Sequence, residues 1–271
     1  KQVEETELTN TIDIGGPSML RAAAKNNKRV LAVSSPEQYK DVLSDLEEHN
    51  GESSLKLRRE FALKVFEKTL DFDTKILHEL SNRFEEDTNN YFSLNIKKAK
   101  DLRYGENPHQ NASIYYTNNT VDYEVLNGKE LSYNNILDVS ACTNILSEFY
   151  DVCACVIIKH NTPCGAALGK DISEAWAKAL DCDPLSAFGG IVGFTQVVNE
   201  DLAKQLTAMF LEVVIAPDFT LKALELLKTK KNLRVIKLNT SLIEYKNHLN
   251  QEIRVTPFGT LIQDSDKGEQ D

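Results

Sequence analysis

Apolar positions in the first third of the chain recur at helical spacing. Gly15-Gly16 precede the run Pro17-Ser18-Met19-Leu20-Arg21-Ala22-Ala23-Ala24-Lys25. Proline suits the first helical turn and alanine is the strongest helix former, so this run predicts a helix. Residues 28–34 (KRVLAVS) read as a short buried strand. Ser35-Pro36 caps a helix reaching about Glu48, and Ser54 caps a long amphipathic helix to about Leu80, with Leu57, Phe61, Val65 and Leu70 near helical spacing. Residues 81–90 (SNRFEEDTNN) are polar and turn-rich, and the domain boundary falls in or just after them, dividing 1–90 from 91–271.

Beyond that boundary the pattern changes to short apolar runs separated by helical segments. Residues 152–159 (VCACVIIK) are almost continuously apolar and rich in β-branched side chains, as in a central strand covered on both faces. Strands are also expected at 190–195, 212–216 and 232–238, with helices near 172–181, 201–210 and 220–228. This alternation predicts a layered α/β domain with a largely parallel sheet.

Composition narrows the function classes. The 271 residues carry a net charge of −10, which argues against nucleic-acid binding, a process driven by excess Lys and Arg. No apolar run approaches the ~18 residues of a membrane span, and the acidic, polar start is no signal peptide. The five cysteines, Cys142, Cys153, Cys155, Cys164 and Cys182, are odd in number and fit free thiols in a reducing cytosol better than a disulfide framework. The chain opens without Met, and residues 1–12 read as the tail of an element, so a fragment is expected.

Five polar or glycine-rich segments stand at element ends, and in open α/β sheets ligands bind beyond the carboxyl ends of strands. Asp13-Ile14-Gly15-Gly16 precedes the helix bearing Arg21 and Lys25 four residues apart. It fits either an anion site at a helix N-terminus or a turn followed by a solvated cationic face. Arg103-Tyr104-Gly105-Glu106-Asn107-Pro108-His109-Gln110 is dense in hydrogen-bonding groups, and Arg103 can clamp a phosphate or carboxylate; the bland reading is an interdomain loop. Asn127-Gly128 marks a turn, and Asn134 or Asn135 suits a helix cap.

In Lys159-His160-Asn161-Thr162-Pro163-Cys164-Gly165 a buried strand ends in an ammonium and an imidazole. An imidazole so placed is neutral at pH 7 and able to take a proton; otherwise it merely caps the strand. Pro163-Cys164 echoes the zinc-deaminase P-C-x-x-C pattern, but position 167 is Ala167 and no H-x-E precedes it. Cys164 as nucleophile is the weaker alternative, because a thiol in a packed turn is inert. The fifth segment, residues 182–190 (CDPLSAFGG), ends in a glycine pair before a strand, suited to close backbone approach or to a plain helix-to-strand turn.

Together the stretches IDIGGPSMLRAAAKN, LRYGENPHQ, NGKELSYNNILD, IKHNTPCGAALG, DPLSAFGGIVGF and EVVIAPDF resemble one family, the bifunctional purine-biosynthesis enzymes that join AICAR transformylase to IMP cyclohydrolase. The six stretches stand in the family's order over about residues 12–220. The resemblance implies that residues 1–90 are the later part of the cyclohydrolase, a methylglyoxal-synthase-like α/β layer with a helical connector. It implies that 91–271 are the first half of the transformylase, a cytidine-deaminase-like α/β layer. The cyclohydrolase's first strands and the transformylase's second half, with much of the folate pocket, would be missing. Residues 258–264 (FGTLIQD) resemble the family's GGxLVQD strand, with Thr260 in place of one glycine.

The resemblance also implies roles. His160 is the proton acceptor for formyl transfer from 10-formyltetrahydrofolate, the cosubstrate, to AICAR. Lys159 stabilises developing negative charge, and Arg103, Tyr104, Gly189 and Glu212 contact AICAR. Lys25 moves a proton as formyl-AICAR closes to IMP, with Asp13 and Ile14 at the nucleotide. The expected protein is a cytoplasmic homodimer acting on small molecules, with neither nucleic acid nor membrane as partner and no metal or redox cofactor. The rival expectations are a fragment that binds a phosphoribosyl ligand without chemistry, and a zinc-dependent deaminase-like hydrolase.

Overall fold

The computed structural model describes residues 4–84, 92–116, 122–247 and 251–266. The chain divides into two compact units, Lys1–Asn95 and Ile96–Asp271.

The first unit is helical in its described residues: α1 (Glu5–Thr11), α2 (Gly15–Lys25), a 3₁₀ turn at Pro36–Gln38, α3 (Tyr39–Glu48) and α4 (Leu55–Arg83). Ser54 starts α4 as its pattern predicts, its hydroxyl accepting the Leu57 N–H at 3.1 Å. The buried face of α4 is Leu57, Phe61, Ala62 and Val65, continued by Thr69 and Thr74. Leu70, expected on that stripe, is exposed. A step of five residues turns about 140° away from the face that a step of four preserves. Ala24, Ala32, Ala62 and Val65 form the small core where α2 meets α4.

The expected strand at 28–34 forms no ladder. No strand lies in the described residues of this unit to take its backbone groups, and these find other partners. The Val30 N–H donates to the Asn26 carbonyl, the Ser34 N–H to Gln38 Oε1 at 2.8 Å, and Lys68 to the Ser34 carbonyl. The apolar content of the segment is used in packing, with Ala32 buried.

The second unit is built on a six-stranded sheet of order β3-β8-β7-β6-β4-β5. Its strands are β3 (Tyr123–Asn127), β4 (Ala154–Lys159), β5 (Thr162–Leu168), β6 (Ile191–Phe194), β7 (Val213–Ala216) and β8 (Arg234–Leu238). Two antiparallel hairpins stand apart from it in pairing, β1 (Lys97–Leu102) with β2 (Ala112–Tyr116), and β9 (Gln251–Thr256) with β10 (Gly259–Asp264). The helices are α5 (Tyr133–Ser147), α6 (Ile172–Cys182), α7 (Pro184–Ala187), α8 (Glu200–Ala208), α9 (Leu221–Lys228) and α10 (Leu242–Lys246).

The sheet is mixed rather than largely parallel. Only β6–β7 and β7–β8 run parallel, while β3–β8, β4–β5 and β4–β6 run antiparallel. A two-residue connection between β4 and β5 can only make a hairpin. Pro163 and Gly165 disguise β5 as a loop in the sequence, yet both are tolerated because β5 is an edge strand. Alternate residues of the apolar runs serve opposite faces. Cys155, Ile157, Phe194 and Val214 join the core under α6, α8 and α9, while Val156, Ile158, Val213 and Ile215 join the core under α5. Burial on both faces is what makes these runs continuously apolar.

Candidate active site

At one end of the sheet the second unit holds a cavity of about 480 Å³. Its wall brings three cations, Arg103, Lys129 and Arg234, together with two carboxylates, Glu130 and Glu212. That mixture suits a ligand carrying both an anion and hydrogen-bond donors.

The position along the strands differs from expectation. Gly189-Gly190 and Glu212 stand just before β6 and β7, and Arg234 is the first residue of β8. The site therefore lies at the amino ends of the parallel strands and at the carboxyl end of β4. The carboxyl-end rule belongs to doubly wound parallel sheets, and this mixed sheet reverses the direction of β4.

Several wall residues are held by identifiable contacts. Asn127-Gly128 makes the expected turn, with Gly128 at φ 94°. A Cβ there would stand 2.5 Å from the Leu233 carbonyl oxygen, so the close approach requires glycine. Ser132, rather than Asn134 or Asn135, is the N-cap of α5, its hydroxyl accepting the Asn135 N–H at 3.2 Å. Asn135 Oδ1 accepts in return from the Ser132 N–H and hydroxyl, which aims Asn135 Nδ2 outward to Glu212 Oε2 at 2.9 Å. The Arg234 guanidinium stands 4.0 Å from the same oxygen and donates through Nε to the Glu130 carbonyl. Arg103 stacks on Tyr104 with 4.8 Å from guanidinium carbon to ring centre, and donates to its hydroxyl at 3.0 Å.

Gly189, at φ 73°, donates its N–H to the Phe210 carbonyl at 2.8 Å, and Phe210 is itself part of the cavity wall. Lys159 Nζ donates to the Phe188 carbonyl at 2.7 Å, next to Gly189. His160 sits in the two-residue turn between β4 and β5 and is exposed, not buried at the strand end as expected. Its ring makes no hydrogen bond among the described residues, and it is not part of the cavity wall. Cys164 is half-buried with its thiol toward the Ile157 carbonyl, and burial pushes its pKa up, as expected of an inert thiol. All five cysteines are free, and only Cys142 and Cys155 are fully buried.

The sequence-predicted residues of the first unit are arranged differently. Asp13 Oδ1 accepts the Gly16 N–H at 2.9 Å, so the chain's own carboxylate takes up part of the helix end that the sequence offers to an anion. Ile14 is 71% exposed, and Lys25 is exposed at the end of α2. Arg21 does not share a free face with Lys25, because it donates to Thr69 Oγ1 and lies over the Phe66 ring.

Sequence reasoning missed Lys129, Glu130, Asn232 and Arg234 as wall residues, and saw Asn135 only as a cap. A signal existed for Arg234, a cation at the head of the short strand RVIKL. Asn135 gave none, since its contact with Glu212 spans 77 residues.

A family model described as the AICARFT/IMPCHase bienzyme matches residues 23–271. Similar proteins include the bifunctional purine biosynthesis protein PurH of Clostridium botulinum (strain Loch Maree / Type A3), 46% identical over 265 residues, covering 96% of this chain and 51% of that protein. PurH of Persephonella marina is 46% identical over 277 residues, covering 98% and 52%. PurH of Brachyspira hyodysenteriae is 47% identical over 273 residues, covering 96% and 52%. The chain spans about half the length of these curated relatives. Among solved structures, Acinetobacter baumannii RibD (form 1) gives a TM-score of 0.32 at 16% identity over 41% of this chain and 38% of that one, too slight a likeness to carry an argument. With nearly its whole length matched by the family model, the chain belongs to the AICARFT/IMPCHase bienzyme family.

Proposed function

We propose that this chain contributes to purine biosynthesis as part of a bifunctional enzyme that formylates AICAR and closes the product to IMP. The observation that carries the reading is the convergence of Arg103, Tyr104 and Glu212 on one cavity. This cavity lies at the sheet end that also bears Gly189 and the Lys159-His160 turn. Residues 1–90 are then the later part of a methylglyoxal-synthase-like cyclohydrolase, and 91–271 a cytidine-deaminase-like half of the transformylase.

In the first reaction the 5-amino nitrogen of AICAR attacks the formyl carbon of 10-formyltetrahydrofolate. The new C–N bond forms as the bond to the folate N10 breaks. His160 takes the proton released by the amine, and the departing N10 gains one. The amine is a weak nucleophile because its lone pair is delocalised into the ring and carboxamide, so base assistance worth ~10²–10⁴-fold matters. Lys159 offsets charge developing on the formyl oxygen. Arg103 and Tyr104 grip the ribotide, and Glu212 accepts hydrogen bonds from its amine or carboxamide. In the second reaction the carboxamide nitrogen attacks the formyl carbon and water leaves, with Lys25 transferring the proton and Asp13 and Ile14 at the nucleotide. Folate is a cosubstrate, and neither reaction as written calls for a metal or redox cofactor. A cytoplasmic homodimer acting on small molecules, without nucleic acid or membrane, completes the reading.

A second reading is favoured by one observation, that His160 is absent from the cavity wall. In it the chain binds a phosphoribosyl ligand without turnover. Calorimetry with AICAR beside a formyl-transfer assay separates the two. Binding with transfer supports the enzyme, binding without transfer the module, and no binding removes both.

A further inference from the structure

Asp138 lies one helical turn beyond Asn135 on α5, so the two side chains leave the same face of the helix. Asn135 reaches Glu212, and Asp138 reaches the other side of the site, where its Oδ1 accepts the N–H of Asn161 at 2.6 Å. Asn161 and His160 are the two central residues of the β4–β5 turn, closed by the pair Lys159 and Thr162. Both are left-handed, at φ 62° and φ 53°. Two such residues in a two-residue hairpin loop make a type I′ turn, whose twist matches that of the strands. Asparagine and histidine enter this conformation more readily than most residues with a Cβ, yet it is uncommon for any residue but glycine.

Something must therefore hold the turn. The Thr162 hydroxyl reaches the His160 carbonyl only at 3.4 Å. The Asp138 contact is the short one, and a carboxylate accepting a backbone N–H gives a charge-assisted bond stronger than a neutral one. The imidazole is exposed and has no hydrogen-bonding partner of its own among the described residues. Its direction is set by the backbone beneath it.

We propose that Asp138 is a positioning residue for His160, its carboxylate holding the 160–161 turn in the left-handed conformation that aims the imidazole for proton transfer. This rests on the reading of His160 as proton acceptor in formyl transfer. With Asn135 three residues earlier, one helix face then fixes both the base and the carboxylate that orients the substrate.

The test uses the chain labelled with ¹⁵N-asparagine, followed at the Asn161 amide and assayed with AICAR and 10-formyltetrahydrofolate. Asp138→Ala is expected to shift the Asn161 amide upfield and speed its hydrogen exchange. It should lower kcat about 100-fold, the cost of a small misplacement of a reacting group, with AICAR Kd unchanged. Asp138→Asn keeps an oxygen acceptor and should retain most of the rate. Asn161→Gly in the Asp138→Ala background supplies a residue that is left-handed without strain, and should restore most of the lost kcat.

An unmoved Asn161 amide in Asp138→Ala overturns the anchor. A moved amide with wild-type kcat overturns the positioning role, as does a folded double variant that glycine fails to rescue. If the wild type and His160→Ala give equal transfer, or none, the functional reading is what falls, and the amide shift still decides whether Asp138 holds the turn.

Discussion

The two units treat polar residues near a helix start in opposite ways. In the helical unit Asp13 turns inward onto its own helix end, Arg21 is laid over Phe66, and Ile14 and Lys25 remain in solvent. In the sheet unit the start of α5 sends Asn135 outward to Glu212, and Asp138 to the turn holding His160. The difference is one of surroundings. Adjacent strands end at one level, so Gly189, Glu212 and Arg234 arrive side by side although they are far apart in sequence. The start of α2, packed on α4, sets its polar groups against its own helix end and one neighbouring helix. The lesson is that the ends of a sheet collect groups into a site, whereas a helix end by itself satisfies its own backbone.

The widest separation between the units is expected in catalysis. His160→Ala should reduce formyl transfer by ~10²–10⁴-fold with AICAR affinity within a few-fold. Lys25→Ala should leave transfer intact and stop ring closure, seen as accumulation of formyl-AICAR. Full transfer by His160→Ala, or normal IMP output from Lys25→Ala, would erase the proposed division of labour.

A smaller effect is expected where the cavity depends on one backbone conformation. Gly128→Ala forces a side chain into the left-handed region and against the Leu233 carbonyl. It should cost about 1–3 kcal/mol in chemical denaturation and weaken AICAR binding, since Lys129 and Glu130 follow directly. Stability unchanged would mean that the loop is free to move away, and that the wall is less fixed than its contacts suggest.

The helical unit should respond more gently, and without effect on AICAR binding. Ser54→Ala removes the hydroxyl that accepts the Leu57 N–H and should cost about 1 kcal/mol, read from hydrogen exchange in α4. The smallest effect is one of pH. The Ser54 side chain, followed by its backbone N–H, holds the Asp45 carboxyl below its ordinary value. A lowered folded value gives stability that is complete above the unfolded value near ~3.9 and is lost as pH falls through the folded one. The corner between α3 and α4 should thus loosen below about pH 4, and Asp45→Asn should flatten that dependence. A melting curve of the helical unit with the same pH response in that variant would assign the effect elsewhere.

Much of this was legible in the residues. Ser54 before Leu57, Phe61 and Val65 specifies a capped amphipathic helix, because capping and the 3.6-residue period are local. The runs VCACVIIK and EVVIA specify buried strands, because continuous apolarity is needed only where both faces are covered. Residues 28–34 show the limit. Their composition suits a strand, but a strand exists only beside another, and the described part of the helical unit has none. The segment TPCGAAL shows the reverse, an edge strand whose Pro163 and Gly165 read as turn residues until pairing with β4 gives them a place.

The sequence by itself determined which segments fold as helices and central strands, and that Lys159-His160, Arg103-Tyr104 and Gly189 stand at element ends, since these follow from near-neighbour chemistry. Only the tertiary structure decided that the sheet is mixed and that the cavity opens at the amino ends of β7 and β8. It alone decided that Asn135 and Asp138 face Glu212 and the His160 turn. Those contacts join residues 77 and 23 positions apart, and strand order, which no local pattern encodes, is what brings them within hydrogen-bond reach.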